Sequence, residues 1–375
     1  MISENVKAYI EAHSEEAYEL LKTIAVIPSP SNHEEKRMEF CKAWLENMGA
    51  EGVYTDSALN VVYPYGVTED NPVVVFMAHT DVVFPDTEAL PLKEEDGNLC
   101  CPGVGDDTAN LVNILMTAKY VTQNKLQIKD CGIVFVCNSG EEGLGNLKGS
   151  KKICETYGKR MKKFYSFDGG LDGVTNCAVG SSRFKVTLRT EGGHSYGSFG
   201  NANAIAKISE LISEIYEIQV PSEGKTTYNV GVIQGGTSVN TIAQEVSMLC
   251  EFRSDRADGL HFMDEKFQGL FEKYGAEIQV VGVRPCENLS SEAELVRQEM
   301  IAEAKKCLTE VTGKAPKEGS GSTDCNIPLS MGIPSVCFGT YYGGGEHTRQ
   351  EHVEIASLKL GYAAAFDTVL SYFEE

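Results

Sequence analysis

The 375-residue chain has no CxxC pair among its 12 cysteines, which removes the simplest zinc-ribbon reading. The cysteines sit singly in apolar surroundings, as Cys137 does in GIVFVCNSG, Cys250 in VSMLCEF and Cys337 in PSVCFG. Cys100 and Cys101 are adjacent, which suits neither a shared metal nor an easy bridge. Reduced, mostly buried thiols are the expectation. No cysteine neighbours a histidine in any motif, so a metal-free thiol enzyme lacks support. Positive charge is also scarce. With 33 Lys+Arg against 54 Asp+Glu the net charge is −21, which disfavours nucleic acid and anionic membranes as partners. No apolar run approaches the roughly 18 residues of a membrane span. The opening stretch MISENVKAYIEAHSEEAYELLK reads as an acidic amphipathic helix, without a basic segment leading into an apolar one. A cytoplasmic location is expected. Internal repeats and low-complexity segments are absent as well.

What is present is an ordinary globular composition, 42% hydrophobic and 23% charged, enough for a sizeable core. In the first half, short apolar strands alternate with helical stretches. Pro72–Ala78, Gly132–Cys137 and Phe164–Phe167 read as buried strands, and Asn110–Tyr120 as a helix with Leu111, Ile114, Leu115 and Ala118 on one stripe. This alternation predicts an α/β fold, a mostly parallel sheet with helices on both faces. The pattern changes near Gly180. Arg183–Thr190, Thr227–Ile233, Glu245–Phe252 and Glu277–Val283 alternate sides like half-exposed strands, and two helices, Ile205–Ile218 and about Gly259–Tyr274, lie among them. That set predicts an α+β domain with both helices on one face of an antiparallel sheet. The first pattern returns beyond about Glu287, with Pro334–Phe338 as a further buried strand. The expected organisation is one domain over residues 1–178 and 288–375, interrupted by an inserted domain over 179–287.

Chemistry-bearing residues recur just past the predicted strands, where open α/β sheets place ligands. They are His79 and Asp81 in Ala78-His79-Thr80-Asp81, Asp106 and Asp107 after Gly103, Glu141 and Glu142 in Gly140-Glu141-Glu142-Gly143, Asp168 in Phe167-Asp168-Gly169-Gly170, and His347 in Glu346-His347-Thr348. Each has a bland alternative. A strand-end histidine can be structural, paired acids before a helix can be caps, and acids between glycines can form a polar loop. As a set they offer nitrogen and oxygen ligands without thiolate, which favours zinc, with cobalt or manganese as substitutes. Of the paired glutamates, one can bind metal while its neighbour acts as general base.

The order HxD, GxxDD, GEEG, FDGG and EH resembles the dinuclear zinc exopeptidase family that includes tripeptidase T, glutamate carboxypeptidase and succinyl-diaminopimelate desuccinylase. The resemblance spans nearly the whole chain and leans toward tripeptidase T through FDGG and the paired aspartates. It implies that His79 and Asp168 bind one zinc, that Glu142 and His347 bind the other, and that Asp106 bridges the two. It also implies Glu141 as general base, Asp81 as the group orienting His79, and a cis peptide between Asp106 and Asp107. The inserted domain then becomes a lid and dimerisation domain of a homodimer. His194, in Gly192-Gly193-His194-Ser195, would stabilise the oxyanion, and Arg253 with Asn240 would hold the peptide's C-terminal carboxylate. An exposed turn histidine and a plain surface arginine remain the alternatives. The Gly319–Asp324 loop resembles one whose backbone faces the substrate.

One position departs from the pattern. Thr108 stands where relatives usually carry lysine. The implied activity is removal of the N-terminal residue from short peptides. The alternatives are a dipeptidase or N-acyl-amino-acid amidohydrolase of the same family, or a non-catalytic binding protein on this fold.

Overall fold

The computed structural model describes residues 2–374. The strand Val73–His79 explains the architecture in miniature, because all seven of its residues are buried. Successive side chains alternate across a strand. Val74, Phe76 and Ala78 join one core cluster, while Val73, Val75 and Met77 are equally buried outside it. A strand hidden on both faces belongs to a sheet covered on both faces.

That sheet has eight strands in the order Tyr54–Thr55, Val61–Tyr65, Gly132–Asn138, Val73–His79, Met161–Phe167, Ser335–Phe338, Gly173–Ala178, Lys317–Gly321. The four from Gly132–Asn138 to Ser335–Phe338 are mutually parallel. Val61–Tyr65 and Gly173–Ala178 join antiparallel on either side. The α/β sheet expected from the alternation of apolar runs is the one observed. The larger core cluster draws on helices Glu4–Ala25, Asn110–Asn124, Ser291–Thr312 and Leu358–Leu370. Ile153 and Cys154 of helix Lys148–Tyr157, with Ile327 and Leu329 of Asn326–Ser330, are buried outside that cluster.

Helix Asn110–Asn124 differs from the single apolar stripe expected. Its residues are buried continuously from Asn110 to Lys119, and Val121 is buried too. It packs against Glu4–Ala25, Leu358–Leu370 and the sheet at once, so no face is left to solvent.

The chain divides into two compact units, one running to Cys177 and resuming at Asn288, the other Ala178–Glu287. The second unit is an antiparallel sheet in the order Thr226–Gly235, Glu245–Ser254, Gly180–Arg189, Glu277–Arg284. Alternate residues Phe184, Val186, Leu188, Val246, Met248, Cys250 and Phe252 form a core with Ile208, Leu211, Met263, Phe267 and Phe271 of helices Ala204–Tyr216 and Ala257–Tyr274. Its first and last strands pair directly, with Ser181 opposite Arg284.

Candidate metal centre

Four segments that follow parallel strands of the first unit meet the segment around Asp106. His79 ends its strand and is fully buried, and its Nδ1 lies 2.9 Å from the Asp81 carbonyl oxygen. A carbonyl only accepts, so Nδ1 carries a ring proton and Nε2 faces the other way. Nε2 is 2.9 Å from Asp106 Oδ1. On the other side of the same carboxylate, His347 Nε2 is 3.1 Å from Asp106 Oδ2 and 2.9 Å from Glu142 Oε1. Asp106 therefore offers one oxygen to each histidine.

Donor atoms of His79, Asp106, Asp107 and Asp168 all lie within 4.8 Å of one another, as do those of Asp106, Glu142 and His347, and those of His79, Glu141 and Glu142. Seven of the ten residues to which the resemblance assigns a role belong to this unit, and six of them share these overlapping groups. The seventh, Asp81, stands behind them. Its carboxylate is 3.6 Å from His79 Nδ1, farther than its own carbonyl. The carboxylate instead accepts the backbone N–H groups of Glu141 and Glu142, each at 3.0 Å, and the Ser31 hydroxyl at 2.7 Å. It fixes the glutamate loop as much as the imidazole.

The two neighbouring aspartates divide their work because the backbone between Val104 and Ala109 is not helical at Asp106 and Asp107, and the peptide joining them is cis. Asp107 turns inward, accepting from His79 N at 2.8 Å and Asn110 Nδ2 at 2.6 Å. Asp106 faces the histidines. Neither caps the following helix, which starts at Asn110.

Close backbone approach shapes these loops. A Cβ on Gly339 would fall 1.4 Å from the Gly169 carbonyl oxygen, and one on Gly103, at φ +76°, would meet Val82 at 2.3 Å.

Burial works against His79 keeping a proton, but Asp107, Asp106 and Asp81 outweigh it and hold its pKa well above the ordinary value. Hydrogen bonds to Asp106 and Glu142 push His347 up to about 11. Burial raises Asp107 and Glu142. Closely packed carboxylates thus draw positive charge strongly. Two histidine nitrogens and several carboxylate oxygens with no thiolate form a donor set suited to a pair of divalent cations.

Supporting residues carry no motif. Glu351 is buried, and its carboxylate accepts from Gly103 N at 2.7 Å and from Gly105 N and Asp106 N at 2.9 Å. The fully buried Arg37 donates to Ile27 O at 2.8 Å, Thr80 O at 3.0 Å and Thr108 Oγ1 at 3.2 Å. Thr108 is itself fully buried and donates to Gly103 O, so the position that departs from the family pattern packs into the scaffold. Burial pushes the Cys101 thiol up to about 12 and Cys337 well above its usual value, which fits neither as a nucleophile.

The other three residues lie in the second unit. His194 is exposed, and its Nδ1 accepts from Tyr196 N at 3.3 Å and Gly197 N at 3.2 Å, so the neutral ring carries its proton on Nε2. Asn240 is exposed one strand over, its carbonyl accepting from Ser195 N at 3.0 Å. Arg253 grips Glu251 through Nε at 2.9 Å and Nη2 at 3.2 Å, so its fork is already engaged.

The model of Peptidase family M20/M25/M40 matches residues 75–371. The chain is 24% identical over 349 residues to the uncharacterized protein YqjE of Bacillus subtilis, covering 88% of this chain and 91% of that one. It is 25% identical over 305 residues to the acetylornithine deacetylase of Myxococcus xanthus, covering 76% of each. A tripeptidase from Staphylococcus aureus shares the fold with a TM-score of 0.72 at 20% identity, over 94% of this chain and 97% of that one. With the matched region containing every residue of the cluster, the chain belongs to the M20/M25/M40 peptidase family and is a metallopeptidase.

Proposed function

We propose that this metallopeptidase is a two-zinc exopeptidase that removes the N-terminal residue from short peptides, with cobalt or manganese as workable substitutes. The observation that carries the reading is Asp106 spanning His79 and His347 with its two oxygens. In this reading His79 and Asp168 hold one ion, Glu142 and His347 the other, and Asp106 bridges. When bound, the ions polarise the scissile carbonyl and acidify water. Glu141, buried beside His79 and Glu142, takes the proton from the attacking water and returns it to the leaving amine. Asp81 holds the Glu141 and Glu142 amides in place and, through its carbonyl, the tautomer of His79. His194 is assigned the role of stabilising the developing oxyanion through its ring N–H. Asn240 and Arg253 receive the substrate's carboxylate, Arg253 by exchanging its grip on Glu251. The second unit is assigned as the lid and dimer contact, and the enzyme to the cytoplasm.

The likeness to an acetylornithine deacetylase supports a second reading, hydrolysis of N-acyl amino acids, by the same chemistry with a different pocket. A panel of tripeptides, dipeptides and their N-acetylated forms separates the two. Peptides with a free amine are expected to be cleaved, and exclusive cleavage of acylated substrates would sink the aminopeptidase assignment. In the same assay Glu141→Gln is expected to retain metal and lose at least a hundredfold in rate. Unchanged turnover would remove Glu141 from its role.

A further inference from the structure

The two histidines of the centre are held very differently. His79 is 1% exposed on a central strand, whereas His347 is 57% exposed, sits on a glycine-rich loop and has φ +61°. A non-glycine residue in that region persists only where its surroundings impose it. Gly343, Gly344 and Gly345 contribute no side chains to the task. Among the described residues, Glu346 accepts from the nearby Tyr341 hydroxyl at 3.4 Å, and 345–350 bond beyond positions 341–352 through two side chains, those of His347 and Arg349.

Arg349 makes a two-pronged bond to Asp86, Nη1 to Oδ1 at 3.0 Å and Nη2 to Oδ2 at 2.6 Å. Its guanidinium carbon also lies 4.8 Å from the ring centroid of Phe84, which is buried. Asp86 is on a fixed segment: Val82 N donates to Ser29 O at 2.9 Å, and Lys36 donates to Thr87 O at 2.9 Å. This segment is the continuation of His79 and Asp81. The pair thus ties the loop bearing the exposed histidine to the strand end bearing the buried one. An isolated surface ion pair contributes little to stability, but a planar fork stacked on an aromatic ring fixes direction as well as distance, which a lysine does not.

We propose that the Arg349–Asp86 pair, stacked on Phe84, is a clasp that positions His347 and thereby sets the affinity of the outer metal ion, the one held by Glu142 and His347. The inference rests on the reading of His347 as a metal ligand given above. Arg349 and Asp86 act through His347 and are positioning residues. Groups that orient a metal ligand typically change metal affinity 10–100-fold when removed.

The test is a zinc titration of the full chain against a competing chelator, which resolves the two ions by affinity without an activity assay. Arg349→Met and Asp86→Asn are each expected to weaken one of the two zinc sites by about tenfold or more and to leave the other unchanged. Arg349→Lys is expected to recover only part of the loss, and the exchanged pair Asp86→Arg with Arg349→Asp to recover more than either single charge reversal. His347→Ala serves as the reference and should abolish that same weaker site. Wild-type affinity at both sites in Arg349→Met, equal weakening of both, or no recovery in the exchanged pair would overturn the clasp. Two unaltered zinc sites in His347→Ala would instead overturn the ligand assignment on which the clasp depends.

Discussion

Glu351 lies 245 positions from Asp106 in the chain, yet its carboxylate receives the Asp106 amide together with those of Gly103 and Gly105. Those three bonds hold the irregular loop that turns Asp106 toward both histidines. Glutamine keeps the size but exchanges one acceptor oxygen for an NH2 group, which would face a backbone N–H. Glu351→Gln is therefore expected to lower stability by about 1–3 kcal/mol, the scale of leaving a buried donor without its acceptor. It should also weaken zinc binding, and thermal melts with and without zinc would measure both. An unchanged melt would show that the loop holds itself. Such residues were hidden in the sequence for a physical reason. His79, Glu141, Asp168 and His347 follow apolar runs, so position along a strand betrays them. Glu351 and Arg37 act on backbone atoms of remote segments, which leaves no period and no spacing to read. Pattern and spacing could not tell which of Asp106 and Asp107 faces the histidines, because two non-helical residues decide it, and the resemblance alone named Asp106.

At the level of elements, helices Glu4–Ala25 and Asn110–Asn124 are joined by Lys119, whose buried ammonium reaches Glu16 Oε2 at 2.6 Å. Burial opposes ionisation of Glu16, but its bonds to Lys119 and His13 hold its pKa below the ordinary glutamate value. A depressed carboxylate pKa contributes stability that is fully present above the unfolded value and is lost as pH falls through the folded one. The melting temperature of the wild type is thus expected to drop below about pH 4.5 partly through this pair. Glu16→Gln should lose on the order of 1–3 kcal/mol at neutral pH by stranding Lys119, and should show a shallower decline in acid. Parallel pH-dependent melts of the two proteins check it, and identical profiles would rule the pair out. The elements themselves were largely legible, since period-two strands and amphipathic helices leave patterns. The exception was the Asn110–Asn124 helix, whose all-round burial depends on neighbours from both ends of the chain.

For the whole molecule, the division into two units localises the effect of metal. Every residue of the candidate centre belongs to the first unit, while the core built on Phe252, Phe267 and Phe271 is a separate cluster in the second. Removing metal with a chelator is expected to raise amide hydrogen exchange in residues 103–109, 139–143 and 343–347 and to leave residues 204–216 unchanged. At a thousand times its Kd a bound ion contributes about 4 kcal/mol, enough to be plain in such an experiment. Uniform acceleration across both units would contradict the division.

The pairing of Ser181 with Arg284 bears on how the large sheet closes. The strand Met161–Phe167 and its parallel partner Ser335–Phe338 flank the inserted unit in the chain. While that insertion is unfolded, bringing the two strands together closes a loop of well over a hundred residues, at an entropic cost of about 4 kcal/mol. Once its first and last strands are zipped, the loop left to close is less than half as long, which lowers the cost by about 1 kcal/mol. Folding the second unit first would thus shorten, modestly, the path by which the parallel sheet receives its last central strand.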